Sequence, residues 1–220
     1  MIKNAYNSVK SIIRSLNAVR HKLLSPKIKL HNRHDSYASY VEKQKEKTLD
    51  PARIEKWLGE EWHEKLDGFR ALFERNDEFV KPASRCICLG ARTGQEVAAL
   101  QELGKEAIGI DLVAFPPLTV EGDIHDLSYA DHSFDFVFTN IFDHSLYPDK
   151  FIAEMERVCE TGGHIIVNLQ LYTPGDEYSE NIINDANKLI DLFQSSELAC
   201  SRPITNSFDG MNWEVVMRKV

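Results

Sequence analysis

A short apolar segment followed by a turn with two glycines constrains this chain more than any other feature. Residues 85–96 read Arg-Cys-Ile-Cys-Leu-Gly-Ala-Arg-Thr-Gly-Gln-Glu, and a helical pattern continues to Gly104. The apolar run predicts a buried strand that ends at Gly90, and Gly94 allows a tight turn into the helix. Glycine at both places lets backbone amides at a helix N-terminus approach a polar or anionic ligand. The segment therefore predicts a strand, a ligand-binding loop and a helix.

An acidic residue ends the next predicted strand. Residues 107–111 read Ala-Ile-Gly-Ile-Asp, and Asp111 follows the loop by roughly 20 residues, the distance at which nucleotide-binding α/β folds place an acid on the ribose hydroxyls. The two segments together predict a Rossmann-like unit whose ligand carries a ribose.

These motifs and others downstream make the chain resemble class I S-adenosylmethionine-dependent methyltransferases, of the type 11 group. In the family's order they are the first motif at 88–94, the second strand at 108–111, the adenine-side motif at 122–125, the fourth strand at 133–137, and the helix and turn before the fifth strand at 151–163. The resemblance implies an α/β fold with a seven-stranded, mostly parallel Rossmann-like sheet, helices on both faces and an antiparallel last strand. It also implies methyl transfer with S-adenosylmethionine as cofactor.

The resemblance assigns cofactor-binding roles to the residues that match its motifs. Asp111 would bind the ribose, Asp123 would accept a hydrogen bond from the adenine amino group, and Ile124 would offer its backbone. Alternatively, the Gly-Asp pair at 122–123 is only a turn. The expected cofactor-binding residues are Gly90, Ala91, Arg92, Gly94, Asp111, Leu112, Asp123, Ile124 and Asn140.

Two residues depart from the family's first motif. Cys88 stands where members usually carry an acid, and Arg92 replaces the middle glycine. Arg92 could pair with the methionine carboxylate or with acids of the site itself. These departures leave open a non-catalytic protein of the same fold that binds a partner or a membrane through its N-terminal helix. A dinucleotide oxidoreductase is a weaker alternative, because close approach of a pyrophosphate requires glycine at this place.

The expected catalytic residues follow the strand predicted at 134–139. Its carboxyl end brings Asp143 and His144 to the sheet edge where open α/β folds bind ligands. Methyl transfer to a hydroxyl needs a general base; the imidazole of His144 suits that task, and Asp143 could orient it or act in its place. Equally, His144 could cap the next helix or stack beside the adenine. Because adjacent side chains rarely point the same way, we do not expect both to face one substrate.

Helical patterns also precede the glycine loop. Residues 1–24 have apolar residues at helical spacing with Lys and Arg between them, which predicts a basic amphipathic helix. Such a helix could lie on a membrane surface, target an organelle, or pack on the acidic body or a second subunit. We expect it and a polar linker to fill residues 1–34, and a methyltransferase-like domain to fill 35–220, with a helical cover at 35–83 and a Rossmann-like core at 84–220.

Aromatic residues of the cover are candidates for a lid over the substrate. In the family, helices before the first strand commonly cover the cofactor, which makes Tyr40 and Trp57 such candidates, together with Tyr172 in the later loop at 172–178. Large aromatics at helical spacing are more often core residues, so both interpretations stay open.

Charge and cysteine content limit the partners. Residues 1–34 hold eight Lys or Arg and no acid, while the rest of the chain holds 18 basic and 34 acidic side chains, a net charge of −16. An acidic body disfavours nucleic acid as substrate. Four cysteines without CxxC spacing predict no metal site and favour a reducing compartment such as the cytoplasm. We therefore expect a methyltransferase for a small molecule or metabolite.

Overall fold

The computed structural model describes residues 28–31, 33–205 and 209–220. The amphipathic helix expected at 1–24 lies outside them. Among the described residues, no helix is long and apolar enough to cross a membrane.

Nine strands are formed by the described residues. They are β1 (Lys29–Leu30), β2 (Arg85–Leu89), β3 (Glu106–Asp111), β4 (Thr119–Glu121), β5 (Phe134–Thr139), β6 (Cys159–Leu169), β7 (Asn181–Ile182), β8 (Ser196–Pro203) and β9 (Trp213–Lys219). Seven of them form one sheet in the order β4-β3-β2-β5-β6-β9-β8. Strands β2 to β6 run parallel, and β9 is antiparallel to both β6 and β8. The predicted fold class is confirmed.

The described residues also form seven α-helices. They are α1 (Tyr37–Leu49), α2 (Pro51–Leu58), α3 (Glu60–Arg75), α4 (Asp77–Val80), α5 (Gln95–Glu102), α6 (Pro148–Val158) and α7 (Ala186–Ile190). The break between α1 and α2 follows from local chemistry. The Asp50 side chain accepts hydrogen bonds from the amides of Ala52 and Arg53, and Pro51 occupies the first turn, where its missing N–H is not needed.

Each face of the sheet is covered by apolar side chains. On one face, Phe69 and Phe73 of α3 make edge-to-face contacts with Phe138 of β5 at 5.8 and 5.3 Å between ring centroids. On the other face, Phe151 and Met155 of α6 are fully buried. Burying a side chain of this size contributes about 1.5–3 kcal/mol. The helical cover thus reaches the sheet through α3, which fixes the cover relative to the carboxyl ends of the strands.

Three segments differ from expectation. The polar linker contains β1, which pairs antiparallel with β7, so part of it is ordered. The apolar spacing at 182–195 predicts one helix, but the helix that forms is the shorter α7. Residues 181–182 pair with β1 instead, and Asp185 caps the helix start by accepting a hydrogen bond from the amide of Asn187. Helix α6 ends at Val158, ahead of the expected glycine pair at 162–163, because β6 begins at Cys159.

Candidate functional site

The glycine loop lies between β2 and α5 and is fixed by its neighbours. Gly90 has φ +77°, and a Cβ there would lie 2.2 Å from Ile141 Cγ1. Gly94 has φ +87°, and a Cβ there would lie 2.6 Å from Leu118 Cβ. Both distances are far below van der Waals contact, so packing within the protein already requires these glycines. This reason differs from the ligand approach that we expected.

Asp111 ends β3 directly beside this loop. Its Oδ2 accepts a hydrogen bond from the Arg92 amide at 2.8 Å, and its Oδ1 accepts one from the Val113 amide at 3.2 Å. Burial raises the pKa of Asp111, while these amides and the Arg92 guanidinium oppose that rise. Each oxygen has a further lone pair, and the side chain lines a cavity. The carboxylate is thus oriented by the backbone and free to accept from a ligand.

Arg92 is held by the helical cover. The backbone φ of Arg92 is +45°, and its guanidinium carbon lies 4.2 Å from the centroid of the Trp57 ring. Gln95 steadies this end of α2 by donating to the Trp57 carbonyl at 3.1 Å. The contact is a cation–π interaction. It holds the long side chain that replaces glycine against the cover, leaving space beside Asp111.

Two adjoining cavities open at the carboxyl ends of the central strands. The smaller measures about 60 Å³ and the larger about 320 Å³. Expected site residues that line the smaller cavity are Tyr40, Gly90, Arg92, Asp111, Leu112, Asp123, Ile124 and His144. Those that line the larger one are Gly90, Ala91, Arg92, Asn140, Asp143 and His144. The structure thus brings most of the expected residues together.

Three of the expected residues do not line either cavity. Gly94 starts α5, and Trp57 is buried beneath Arg92. Tyr172 is 79% exposed. Tyr40, by contrast, is buried, lines the smaller cavity and donates a hydrogen bond from its hydroxyl to the His144 carbonyl at 3.1 Å.

Asp123 accepts hydrogen bonds from the helical cover and from its own turn. Tyr37 of α1 donates to its Oδ2 at 2.5 Å, and the His125 amide donates to its Oδ1 at 2.8 Å. Burial raises the pKa of Asp123, but hydrogen bonds from His125 and Tyr37 outweigh that effect and hold it at about 2. The side chain is therefore an ionised acceptor at the place expected for the adenine edge.

Asp143 and His144 both line the larger cavity, which differs from our expectation that adjacent side chains diverge. They lie in a 3₁₀ turn at Phe142–His144, whose tight winding brings Asp143 Oδ2 to 4.0 Å from His144 Nε2. His144 Nδ1 is 2.9 Å from the Tyr178 carbonyl, which can only accept, so Nδ1 carries the hydrogen. Nε2 consequently is an acceptor, and in the structure it accepts a hydrogen bond from Lys47 Nζ at 3.3 Å.

The sequence did not single out two charged residues of this site. Lys47 of α1 lies with its Nζ 3.3 Å from His144 Nε2. Its sequence signal is the spacing of Tyr40, Gln44 and Lys47, which puts all three on one face of a helix. Glu96, in the first turn of α5, is 5% exposed and lines the larger cavity. Burial raises its pKa to about 8. No spacing signal identifies Glu96.

Comparison with known proteins agrees with this geometry. The family described as a methyltransferase domain matches residues 87–167. The match covers a little over a third of the chain, and the seven-stranded sheet has the Rossmann-like fold of methyltransferases. The matched segment spans β2 to β6, and so contains the glycine loop, Asp111, Asp123 and His144. No protein among the curated sequences matches the chain.

Solved structures share the fold of the methyltransferase domain. One is the Burkholderia thailandensis 1,6-didemethyltoxoflavin-N1-methyltransferase with bound 1,6-didemethyltoxoflavin and S-adenosylhomocysteine, which is 15% identical with a TM-score of 0.65 over 87% of this chain and 94% of that one. A methyltransferase from Aquifex aeolicus is 16% identical with a TM-score of 0.55 over 78% and 100%. One from Methanosarcina mazei is 14% identical with a TM-score of 0.57 over 66% and 97%.

The residues of the smaller cavity fit S-adenosylmethionine, the cofactor of this class. Asp111 supplies an oriented acceptor for hydroxyl groups, and Asp123 supplies an ionised acceptor for an amino group. Leu112, Ile124 and Ile141 supply apolar surface for a ring. Within the described residues, no group of three or more His, Cys, Asp or Glu is placed to hold a metal ion.

Proposed function

We propose that this protein transfers a methyl group from S-adenosylmethionine to a small-molecule acceptor. One observation carries the proposal: Gly90, Arg92, Ile141 and His144 line both cavities. A ligand held beside Asp111 therefore borders the space where the candidate base lies. Such adjacency is what a transfer between two bound molecules requires.

The cofactor site in this proposal begins at the smaller cavity, which at about 60 Å³ holds only part of the cofactor, and continues along Gly90 and Asn140 into the larger cavity. Asp111 binds the ribose hydroxyls, Asp123 and Ile124 bind the adenine edge, and the loop from Gly90 with Asn140 lies towards the methionine end. When bound, the cofactor supplies an activated methyl group. The chain's own part is to hold both partners close and to exclude water, which Tyr40 supports as a buried side chain in the wall of the smaller cavity.

The larger cavity supplies the acceptor site. Its volume of about 320 Å³ suits a small molecule. His144 acts as the base, because its Nδ1–H is fixed on the Tyr178 carbonyl and its Nε2 can only accept. An acceptor hydroxyl that replaces the hydrogen bond from Lys47 Nζ can donate its proton to Nε2. Asp143 is held by Ser179, whose hydroxyl donates to Oδ2 at 2.8 Å, and it supports a positive charge on the imidazole. The Burkholderia enzyme likewise binds a small molecule.

Calorimetry with S-adenosylhomocysteine tests the proposal. We expect binding to the native chain, and Asp111→Asn should weaken it by about 1–3 kcal/mol, because a charged acceptor for the ribose becomes a neutral amide. Asp149→Asn is the matched control, since Asp149 is exposed on α6. Absence of heat and of any thermal shift at millimolar ligand would refute the proposal.

A further inference from the structure

Lys47 is a buried cation in the wall of both cavities. It lies in the last turn of α1, and 9% of the residue is exposed. Its Nζ is 3.6 Å from Asp176 Oδ2, whose side chain is half exposed, and 4.9 Å from the centroid of the Tyr178 ring. Burying an ammonium is costly unless other groups compensate it. Asp176 is its partner of opposite charge in the structure, and an ammonium with three donors can give a further hydrogen bond to an oxygen of a ligand.

Lys47 and His144 offer complementary groups to one atom. An ammonium only donates, and Nε2 of His144 only accepts, because Nδ1 holds the hydrogen. The two nitrogens are 3.3 Å apart. In the structure Nζ donates to Nε2 directly. A hydroxyl that replaces this hydrogen bond can donate its proton to Nε2 while its oxygen accepts from Nζ. A hydroxyl is thus the group that satisfies both residues at once.

Acidic and basic side chains both line the larger cavity, so the preference for an anionic oxygen over an amine comes from the Lys47 ammonium itself. Burial is the main cause that lowers the pKa of Lys47; Arg92 and Arg53 lower it further, and Asp176 and Asp143 raise it. A negative oxygen next to Nζ relieves the cost of the buried ammonium. A protonated amine in the same place would instead meet Lys47 and Arg92 as like charges.

We propose that Lys47 and His144 jointly receive an acidic hydroxyl, so that the acceptor is a phenol or an enol and the reaction is O-methylation. This inference rests on the proposed function. The hydroxyl proton moves to His144 Nε2 as the oxygen forms its bond to the methyl carbon. The bond from that carbon to sulfur breaks with its electron pair left on sulfur, and His144 later releases the proton to water. Lys47 stabilises the negative charge that develops on the oxygen.

A coloured acid tests the Lys47 role without turnover. 4-Nitrophenol absorbs visible light only as its phenolate, so its ionisation can be titrated in the presence of excess protein and S-adenosylhomocysteine. We expect binding to the native chain to raise the acid dissociation constant of 4-nitrophenol at least tenfold, because the ammonium of Lys47 would lie within hydrogen-bond distance of the phenolate oxygen. Lys47→Met should abolish that change. Lys45→Met is the matched control, since Lys45 lies on the same helix but pairs with Glu121 at 2.8 Å.

Separate readings distinguish this inference from the proposed function. Binding of S-adenosylhomocysteine reports the cofactor site, and Lys45→Met should keep it. Because Lys47 also lines the smaller cavity, nitrophenol ionisation is compared between the native chain and Lys47→Met only with S-adenosylhomocysteine bound to saturation. 4-Nitroaniline has the same shape without an acidic hydroxyl, so its affinity should not depend on Lys47. If the native chain leaves nitrophenol ionisation unchanged, or if Lys47→Met behaves as the native chain, the inference is wrong even when the cofactor binds.

Two measurements guard against misfolding of the variant. Lys47→Gln, checked by thermal unfolding, should give the same loss as Lys47→Met. In the native chain, nitrogen NMR of the histidines should show His144 with its hydrogen on Nδ1 and a proton gained on Nε2 when nitrophenol binds. A His144 signal that nitrophenol leaves unmoved contradicts the shared hydroxyl site.

Discussion

The ionisation of Glu96, a buried residue in the wall of the larger cavity, should affect the free energy of unfolding. Burial raises its pKa from an ordinary 4.5 to about 8, opposed by a backbone amide and by Arg92 and Lys65. The folded state therefore binds this proton more tightly than the unfolded state, and stability falls as pH rises from about 4.5 to about 8. At about 1.4 kcal/mol per pH unit the upper limit is about 5 kcal/mol. Because the side chain borders an open cavity, we expect about 3 kcal/mol.

Glu96→Gln removes this titration while keeping the shape of the side chain. Its free energy of unfolding should approach and then exceed that of the native chain as pH rises, so that the difference changes by about 3 kcal/mol between pH 5 and pH 9. Denaturant unfolding at intervals of one pH unit measures it. Glu106→Gln, at an exposed position in β3, should show no such trend. A difference that stays constant over this range would show that Glu96 is ionised in the fold, which refutes the reasoning.

Two further substitutions test the geometry of the site. Gly90→Ala should lower the free energy of unfolding, measured by denaturant titration, by several kcal/mol, because the added Cβ would lie 2.2 Å from Ile141. Gly104 has a similar φ and no atom within 4 Å of an added Cβ, so Gly104→Ala should cost only the backbone penalty of about 1–2 kcal/mol. Equal costs for the two variants would contradict the steric argument. Tyr37→Phe should lower stability near pH 7 by about 1–2 kcal/mol, since a hydrogen bond to a carboxylate is lost. The loss should fade as pH falls through about 2, where Asp123 becomes protonated, and a loss that is the same at every pH would exclude Asp123 as the partner.

Local sequence patterns were sufficient for the parts of the site that lie close together in the chain. The glycine loop and the position of Asp111 follow from a strand, a turn and a second strand within about one βαβ unit. The apolar pattern at 182–195 predicts a helix over the whole segment, but only Ala186–Ile190 is an α-helix. There the pairing of β1 with β7 decided the outcome, and that pairing joins residues far apart in sequence.

Residues that meet only through tertiary packing could not be predicted in this way. Lys47 and His144 are 97 positions apart, and their contact depends on how α1 lies against the 3₁₀ turn. Glu96 looked like an ordinary polar residue in a first helical turn, but α3 packs against α5 and removes it from water. The sequence indicated that a glycine is needed at position 90. The reason, the close approach of the Ile141 side chain, is visible only in the structure.

The helical cover contributes residues to both cavities, in addition to those of the Rossmann-like core. Tyr40, Gln44 and Lys47 share one face of α1, and Gln44 donates to the same Tyr178 carbonyl that fixes His144. The segment before α1 is tied down by the β1–β7 pair and by His34, whose Nε2 lies 2.7 Å from Glu180 Oε1. The residues proposed to bind the cofactor lie in the matched segment at 87–167, whereas Lys47 lies in the cover. Because Tyr37 of α1 also holds Asp123, a change in α1 can alter both the proposed acceptor site and the proposed cofactor site.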